Sequence, residues 1–511
     1  MATISRRDFL KIGSNFSGAM AVSRLAAGMS LSAADQAASL PNVLILVFDA
    51  MSATNLSLHG YRRKTTPNLE RFAERATVFN RHYSTGNFTT PGTASLLTGL
   101  YPWTHRAINM SGLIVRERAD QNLFRAFGKA YHRFAFSQNL LANYYFDQFH
   151  TDLDEILSPA SFSLVDSGVS IGLGAGWMDA DRAIGDLLFK EGYGPASLVF
   201  GLAERLRHYQ AVACRDTPDY PNSLPRTITP VFFEMKDVFD GLIATAESLK
   251  SPSVAYLHIW PPHDPYVPSK QFEGLFNDGW APEPKPSHRL VDPHRHHSIK
   301  TVNERRQIYD EYIANADAEF GRLFDALDAK GVLDSSYVIV TSDHGEMFER
   351  GMTGHETPML YDPIVRVPLL ISAPGQSSRR EVDIPTSSVD VLPTLIHLAG
   401  KAAPDWCQGQ ILPGLGGPED PERSLFMMEA KTESPSRPFA KASFAICKDR
   451  YKLIDYMGYP QYRVQHRFEM YDLESDPEEL NNLYSETMSA ARSMREELLN
   501  RIESADAQLP K

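Results

Sequence analysis

Val43-Leu44-Ile45-Leu46-Val47-Phe48 runs into Asp49, and Tyr337-Val338-Ile339-Val340-Thr341-Ser342 runs into Asp343-His344-Gly345. Both runs are continuously apolar and rich in β-branched residues, the pattern of strands covered on both faces, and Val367-Pro368-Leu369-Leu370-Ile371 reads as a further strand. Helical patterns separate them. Thr66 to Ala76 carries Pro67 near a helix start with Leu69, Phe72, Ala73 and Ala76 on one face, and Ile308, Tyr312, Ala316, Phe320, Leu323 and Leu327 predict an amphipathic helix ending before Gly331. This alternation predicts an α/β domain with a mainly parallel sheet flanked by helices. From about 400 the texture shifts to Pro and Gly at 404–418 and strand-like runs at 424–429 and 442–455, followed by an amphipathic stretch from Ser485, a candidate N-cap, to Ile502. Residues 401–511 therefore read as a smaller C-terminal α+β subdomain. The region 141–225 reads as an irregular insertion, and its Gly-rich stretch at 168–176 lacks the strand-loop-helix context of a phosphate loop.

The 511 residues are 43% hydrophobic and 22% charged, globular values that exclude a disordered or fibrous chain. A formal charge of −12 argues against nucleic acid or an anionic membrane as the main partner, so an anionic substrate must meet a local positive centre. Cys214, Cys407 and Cys447 have no CxxC spacing and define neither a disulfide framework nor a structural zinc site. Ser5-Arg6-Arg7-Asp8-Phe9-Leu10-Lys11 resembles a twin-arginine export signal, so residues 1–38 are expected to be a signal peptide read by the twin-arginine translocase. A periplasmic or extracellular location follows. No later segment holds the roughly 18 uninterrupted apolar residues that span a bilayer.

Open α/β sheets gather ligands beyond the carboxyl ends of their strands. Asp49 ends one strand and Asp343-His344 another, which would bring two carboxylates and an imidazole to one rim, a cage for a divalent ion such as Mn, Mg, Ca or Zn. A third element is Asn87-Phe88-Thr89-Thr90-Pro91-Gly92-Thr93-Ala94-Ser95. Pro91 suits the first position of a helix, which places Thr89 or Thr90 where unpaired backbone N–H groups and the helix dipole attract negative charge. A hydroxyl held beside the ion there would be an activated nucleophile.

With these residues in view, the chain resembles the sulfatase family within the alkaline phosphatase superfamily. Pro41-Asn42-Val43-Leu44-Ile45-Leu46 with Asp49 is similar to the family's opening strand and first metal ligand, and Ser95-Leu96-Leu97-Thr98-Gly99-Leu100-Tyr101-Pro102 to the stretch after its nucleophile. Pro262-His263-Asp264-Pro265-Tyr266, Thr341-Ser342-Asp343-His344-Gly345, Arg366 to Ile371, Tyr451-Lys452-Leu453-Ile454 and Tyr471-Asp472-Leu473 also match. The resemblance implies an alkaline-phosphatase-like fold with a catalytic domain over 41–400. It implies one divalent ion held by Asp49, Thr89, Asp343 and His344.

The departures bear on the chemistry. Counting back from Leu96-Leu97-Thr98-Gly99, the family's formylglycine precursor, a Cys or Ser, falls at Thr89, and its motif arginine at Thr93. Its second acidic ligand falls at Ala50, its Lys-x-His at Gln138 and Leu140, and its later lysine at His355. Threonine is not converted to formylglycine by that route. The set resembles a threonine-nucleophile branch, similar to phosphonate monoester hydrolases and headgroup phosphotransferases, with Thr89 as nucleophile and His263 or His355 protonating the leaving oxygen. The expectation is a hydrolase of small-molecule, glycan-derived or lipid-derived phosphate or phosphonate esters. A sulfatase without formylglycine, a headgroup phosphotransferase and a catalytically inactive binding protein are the competing readings. The leaving-group pocket is expected from the 141–225 insertion and the loop at 270–300, and His294, His296 and His297 from a solvated surface.

Overall fold

The computed structural model describes residues 40–110, 112–164, 217–221, 223–228, 231–291 and 296–509. The twin-arginine segment, Cys214, His294 and most of the 141–225 insertion lie outside them. Asn42–Lys511 forms one unit.

The large sheet is built from β1 (Asn42–Phe48), β2 (Thr77–Phe79), β4 (His132–Ser137), β5 (Glu155–Leu157), β6 (Ser253–Ile259), β7 (Ser336–Ser342), β8 (Leu369–Ser372) and β9 (Arg380–Val382). Their spatial order is β5-β4-β6-β1-β7-β8-β2-β9. β1 is central, runs parallel to both β6 and β7, and is buried along its apolar length, as a continuous hydrophobic run requires. β8 runs antiparallel to β7 and to β2, so the sheet is mainly parallel with one reversed strand. A short pair, β3 (His82–Tyr83) with β10 (Thr386–Ser387), lies apart from it.

Alternation along the strands sends two sets of side chains to two helical layers. Leu44, Leu46, Phe48, Leu257, Val338 and Val340 share a core with α1 (Pro67–Ala73), α4 (Met235–Ser248) and α5 (Ile299–Ala329). Val43, Ile45, Val47, Tyr256 and Ile339 share the opposite core with α2 (Thr89–Thr98), α3 (Leu140–Gln148) and α6 (Val391–Leu398). The α5 stripe is buried from Tyr312 through Ala316, Phe320 and Leu323 to Leu327, but Ile308 is exposed and Tyr309 takes the buried place beside it, and the helix begins nine residues before Ile308, where Ser298 accepts from Thr301 N at 3.2 Å as N-cap.

The C-terminal sheet is antiparallel, in the order β11 (Leu425–Glu429), β12 (Ala442–Lys448), β13 (Tyr451–Met457) and β14 (His466–Asp472). The run at 442–455 is thus a hairpin of two strands rather than one, turning at Asp449, whose φ is +54°. One face of this sheet packs on α7 (Ser489–Ala507) through Phe444, Leu453, Met494 and Leu498. Ser485 is not the cap: α7 starts after Met488, and Ser485 Oγ accepts from Thr487 N in a turn before it. Leu412 of the Pro/Gly stretch packs in the large sheet's core with Leu392 and Leu395. Among the described residues no helix is long and apolar enough to cross a membrane.

Candidate active site

Register explains why the site forms. Val47 pairs with His258 on one side and Thr341 on the other, and His258 pairs with Ser137. Two residues on from Val47, Thr341 and Ser137 stand Asp49, Asp343 and Asn139, so all three continue the same sheet face at its carboxyl rim, beside His258. That is the face covered by α2. The approach of α2 is close enough that a Cβ on Gly92 would fall well inside 3.0 Å of the Asp343 carbonyl oxygen, so only glycine fits there. Ser84 Oγ donates to the same carbonyl at 2.5 Å.

Thr89 is the first residue of α2, with Phe88 in extended conformation before it and no side-chain cap. The helix thus starts two residues earlier than Pro91 alone suggests, and Thr89 stands in its first turn rather than at its N-cap. Its Oγ1 lies 3.4 Å from His344 Nε2 and accepts from Asn139 Nδ2 at 3.1 Å. Thr90 Oγ1 instead donates to the Met110 carbonyl at 3.3 Å. The structure therefore separates the two threonines that the helix-start argument left equivalent.

Asp49, Asp343 and His344 bring their ligand atoms within 4.8 Å of one another and are fully buried. His344 Nε2 lies 3.4 Å from Asp49 Oδ1 and 3.7 Å from Asp343 Oδ2, while its Nδ1 is 2.9 Å from the Gly345 carbonyl, which fixes the ring with Nε2 inward. Asp343 Oδ1 accepts from the N–H of Ala50 at 3.2 Å and of His344 at 3.0 Å. Ala50 reaches it with φ +60°, a left-handed conformation that costs an alanine about 1–2 kcal/mol, braced by Tyr309 Oη donating to its carbonyl at 2.7 Å. Asp49 Oδ1, Asp343 Oδ2 and His258 Nε2 are buried without a hydrogen-bond partner. Buried orphan donors of this hard and borderline type fit a divalent cation, and Asp49, Asp343, His344 and Thr89 are the residues that would hold it.

The electrostatics of the site agree with that fit. Burial alone would raise the Asp49 carboxyl, but His263, His258 and His344 hold it well below the usual range. Burial and the Asp49 charge push Asp343 up, as expected of two carboxylates sharing one site. His344 is raised to about 9, burial being outweighed by Asp343 and Asp49.

His263 and His355 join the same cluster. Their ring centroids are 4.9 Å apart, His344 and His355 are 4.3 Å apart, and His263, His344 and His355 each present a ring nitrogen within 4.8 Å of the others. His263 Nδ1 donates to the Asp264 carbonyl at 2.6 Å. His355 Nδ1 bonds Glu346 Oε1, and Tyr266 Oη donates to Glu346 Oε2. Burial, with the charges of His344 and His263, depresses His355 well below 6.5. Every sequence-selected residue is therefore at one place: Asp49, Thr89, His263, Asp343, His344 and His355.

Sequence reasoning missed His258, Asn139 and Glu346. Glu346 lies in the Ser-Asp-His-Gly-Glu segment, Asn139 between the two counted positions Gln138 and Leu140, and His258 in an otherwise apolar strand. Gln138 turns away and accepts from Trp260 N at 2.9 Å. A cavity of about 400 Å³ opens over Thr89, with Phe88, Leu141, Ile228 and Met352 as apolar wall and Arg305 and Lys431 as cations. His297 also lines it and is half-buried, so of the two described histidines expected at a solvated surface the exposed His296 alone fits. Among the described residues the loop at 352–356 contributes more of the lining than the 270–300 loop does.

The Sulfatase family model matches residues 41–401. The chain belongs to the sulfatase family. A second model, N-sulphoglucosamine sulphohydrolase, C-terminal, matches residues 353–508 of this sulfatase-family chain. Choline-sulfatase of Rhizobium meliloti (strain 1021) is 30% identical over 271 residues, 48% of this chain and 49% of its own length, so the match spans about half of that relative. The multifunctional alkaline phosphatase superfamily protein PehA of Trinickia caryophylli is 25% identical over 88% of this chain and 92% of its own. The fold is shared with the phosphonate monoester hydrolase of Silicibacter pomeroyi (TM-score 0.65, 22% identity, 92% of this chain and 96% of that one). It is shared also with that of Agrobacterium radiobacter (TM-score 0.63, 21% identity, 92% and 96%). An alkaline-phosphatase-like fold is thereby that of this chain.

Proposed function

We propose that this sulfatase-family hydrolase is metal-dependent and cleaves phosphate or phosphonate esters through a covalent intermediate on Thr89. One observation carries the reading: an unmodified threonine hydroxyl lies 3.4 Å from His344 Nε2 and 3.1 Å from Asn139 Nδ2, above orphaned Asp49 and Asp343 oxygens. A divalent ion at those oxygens supplies positive charge that lowers the pKa of a neighbouring hydroxyl and offsets charge on the ester.

Deprotonated Thr89 Oγ1 attacks phosphorus, the bond from phosphorus to the leaving oxygen breaks, and His263 gives that oxygen its proton. Water then attacks phosphorus from the same side of the site, His263 takes its proton, and the Thr89 oxygen leaves. His263 is suited to this because its Nδ1 is tied to the Asp264 carbonyl, which leaves Nε2 for the substrate. His355, held neutral by burial and its cationic neighbours, orients the cluster through Glu346. The apolar wall of Phe88, Leu141, Ile228 and Met352 suits an organic leaving group.

Phosphorus is favoured over sulfur on chemical grounds. A threonine ester must be broken by a second attack on the central atom, and Thr93, Gln138 and Leu140 provide none of the cations that neutralise sulfate oxygens. Choline-sulfatase among the relatives keeps sulfate in view. The twin-arginine-like segment supports export to the periplasm or beyond through the twin-arginine translocase. The test is kcat/KM for aryl phosphate, phosphonate and sulfate esters with one leaving group; a sulfate value at or above both others overturns the phosphorus preference.

A further inference from the structure

We infer that His258 is an additional protein ligand of the divalent-ion site, giving it two carboxylates and two imidazoles and a preference for a borderline ion of the zinc type over Ca²⁺. This rests on the metal-dependent reading above. His258 is fully buried on β6, one strand away from β1, and points to the same sheet face as Asp49. Its Nε2 makes no hydrogen bond, lies 3.5 Å from Asp49 Oδ2 and 3.7 Å from Asp343 Oδ2, and so faces the two carboxylates as His344 does from the other side. Among the described residues its Nδ1 meets only the Tyr256 hydroxyl, at 3.5 Å.

A buried imidazole kept for packing alone would leave a polar nitrogen unpaired at a cost of about 1–3 kcal/mol, in a site where Asp343 Oδ2 and Asp49 Oδ1 are unpaired as well. One cation resolves all of these at once. The spacing suits it: nitrogen and oxygen ligands about 2.0–2.2 Å from a tetrahedral ion stand about 3.3–3.6 Å from each other. The four imidazole-to-carboxylate separations here run from 3.4 to 3.7 Å, two within that range and two just beyond it. Ala50 supplies no carboxylate where a second acidic ligand would follow Asp49, and His258 offers a neutral nitrogen from the neighbouring strand instead. Two imidazoles favour zinc-like ions, whereas Ca²⁺ asks for six to eight oxygens.

The experiment uses the full-length chain, purified, stripped with a chelator and titrated with Zn²⁺, Ca²⁺ and Co²⁺. Wild type should take up one Zn²⁺ in the presence of excess Ca²⁺, and its Co²⁺ form should show the strong visible bands of a low-coordinate ion. His258→Ala should weaken Zn²⁺ at least roughly 100-fold, beyond the 10–100-fold cost of losing an outer-shell partner, and bleach the Co²⁺ bands. Its metal-free form should melt where metal-free wild type does. X-ray absorption of the wild-type Zn²⁺ form, which needs no variant, should count two imidazoles. One imidazole, or unaltered Zn²⁺ affinity in His258→Ala with Asp343→Ala still losing metal, overturns the role of His258 and leaves the metal-dependent reading standing. No ion in wild type overturns both.

Discussion

Asn139 Nδ2 lies 3.1 Å from Thr89 Oγ1 and 2.5 Å from Asp49 Oδ2, so one amide bridges the nucleophile and a carboxylate of the ion cage. Its own Oδ1 accepts from Leu141 N at 2.9 Å, which caps α3 and locks the amide with its nitrogen toward Thr89. Asn139→Leu keeps the volume and removes the donor. Turnover should fall about 10²-fold, the usual cost of one donor at a charged centre, while bound metal stays near the wild-type amount. Steady-state kinetics with metal analysis checks this, and wild-type turnover in the variant would deny Asn139 that role.

The two adjacent threonines should behave differently. Thr89→Ala removes the attacking oxygen and should cost roughly 10³-fold or more in kcat. Thr90 spends its hydroxyl on the Met110 carbonyl, and Thr90→Ala should cost far less. Equal losses in the two variants would move the nucleophile assignment.

Much of this site is legible in the sequence because its anchors follow strong local signals. Asp49 and Asp343-His344 end two continuous apolar runs, and such runs announce buried strands whose carboxyl ends carry ligands. Thr89 is reached by counting from Leu96-Leu97-Thr98-Gly99. His258 has no such signal: one histidine in Ser253–Ile259 gains meaning only when β6 is set in register beside β1, which pairs it with Val47. Asn139 is hidden by a one-residue offset from the counted positions. The reversed direction of β8 is equally silent, since a four-residue apolar strand reads the same either way and direction is set by its neighbours. The Asp449 turn is invisible because no glycine marks its left-handed residue.

Gly92 is a packing test of the same geometry. In Gly92→Ala the added methyl meets the Asp343 carbonyl, so either α2 or the end of β7 must move. Chemical denaturation should show a loss of about 1–3 kcal/mol, as overpacking does, and kcat should fall by about 10²-fold through misplacement of Thr89. Unchanged stability and rate would show that α2 does not approach β7 so closely.

Acid should destabilise the fold through two buried histidines away from the ion cage. His82, whose Nδ1 is 2.9 Å from Thr386 Oγ1, and His105, whose Nε2 is 3.1 Å from Ser95 Oγ, are both depressed by burial to about 3. A depressed histidine stabilises the folded state above its unfolded pKa of about 6.5, and that contribution is lost as pH falls from there toward 3. Two such groups give a slope approaching about 2.7 kcal/mol per pH unit well below 6.5. Urea unfolding between pH 7 and 5 should show this loss, and His82→Asn should flatten it. A stability independent of pH across that window would contradict the burial of both rings as neutral groups.

The most direct measurement is mass analysis of the enzyme quenched in acid during turnover of an aryl phosphonate monoester. The peptide containing Phe88-Thr89-Thr90-Pro91 should carry one phosphonyl group, with fragmentation placing it on Thr89, and Thr89→Ala should carry none. A phosphonyl group on His263 or Thr90, or turnover by Thr89→Ala at the wild-type rate, would contradict a covalent Thr89 intermediate.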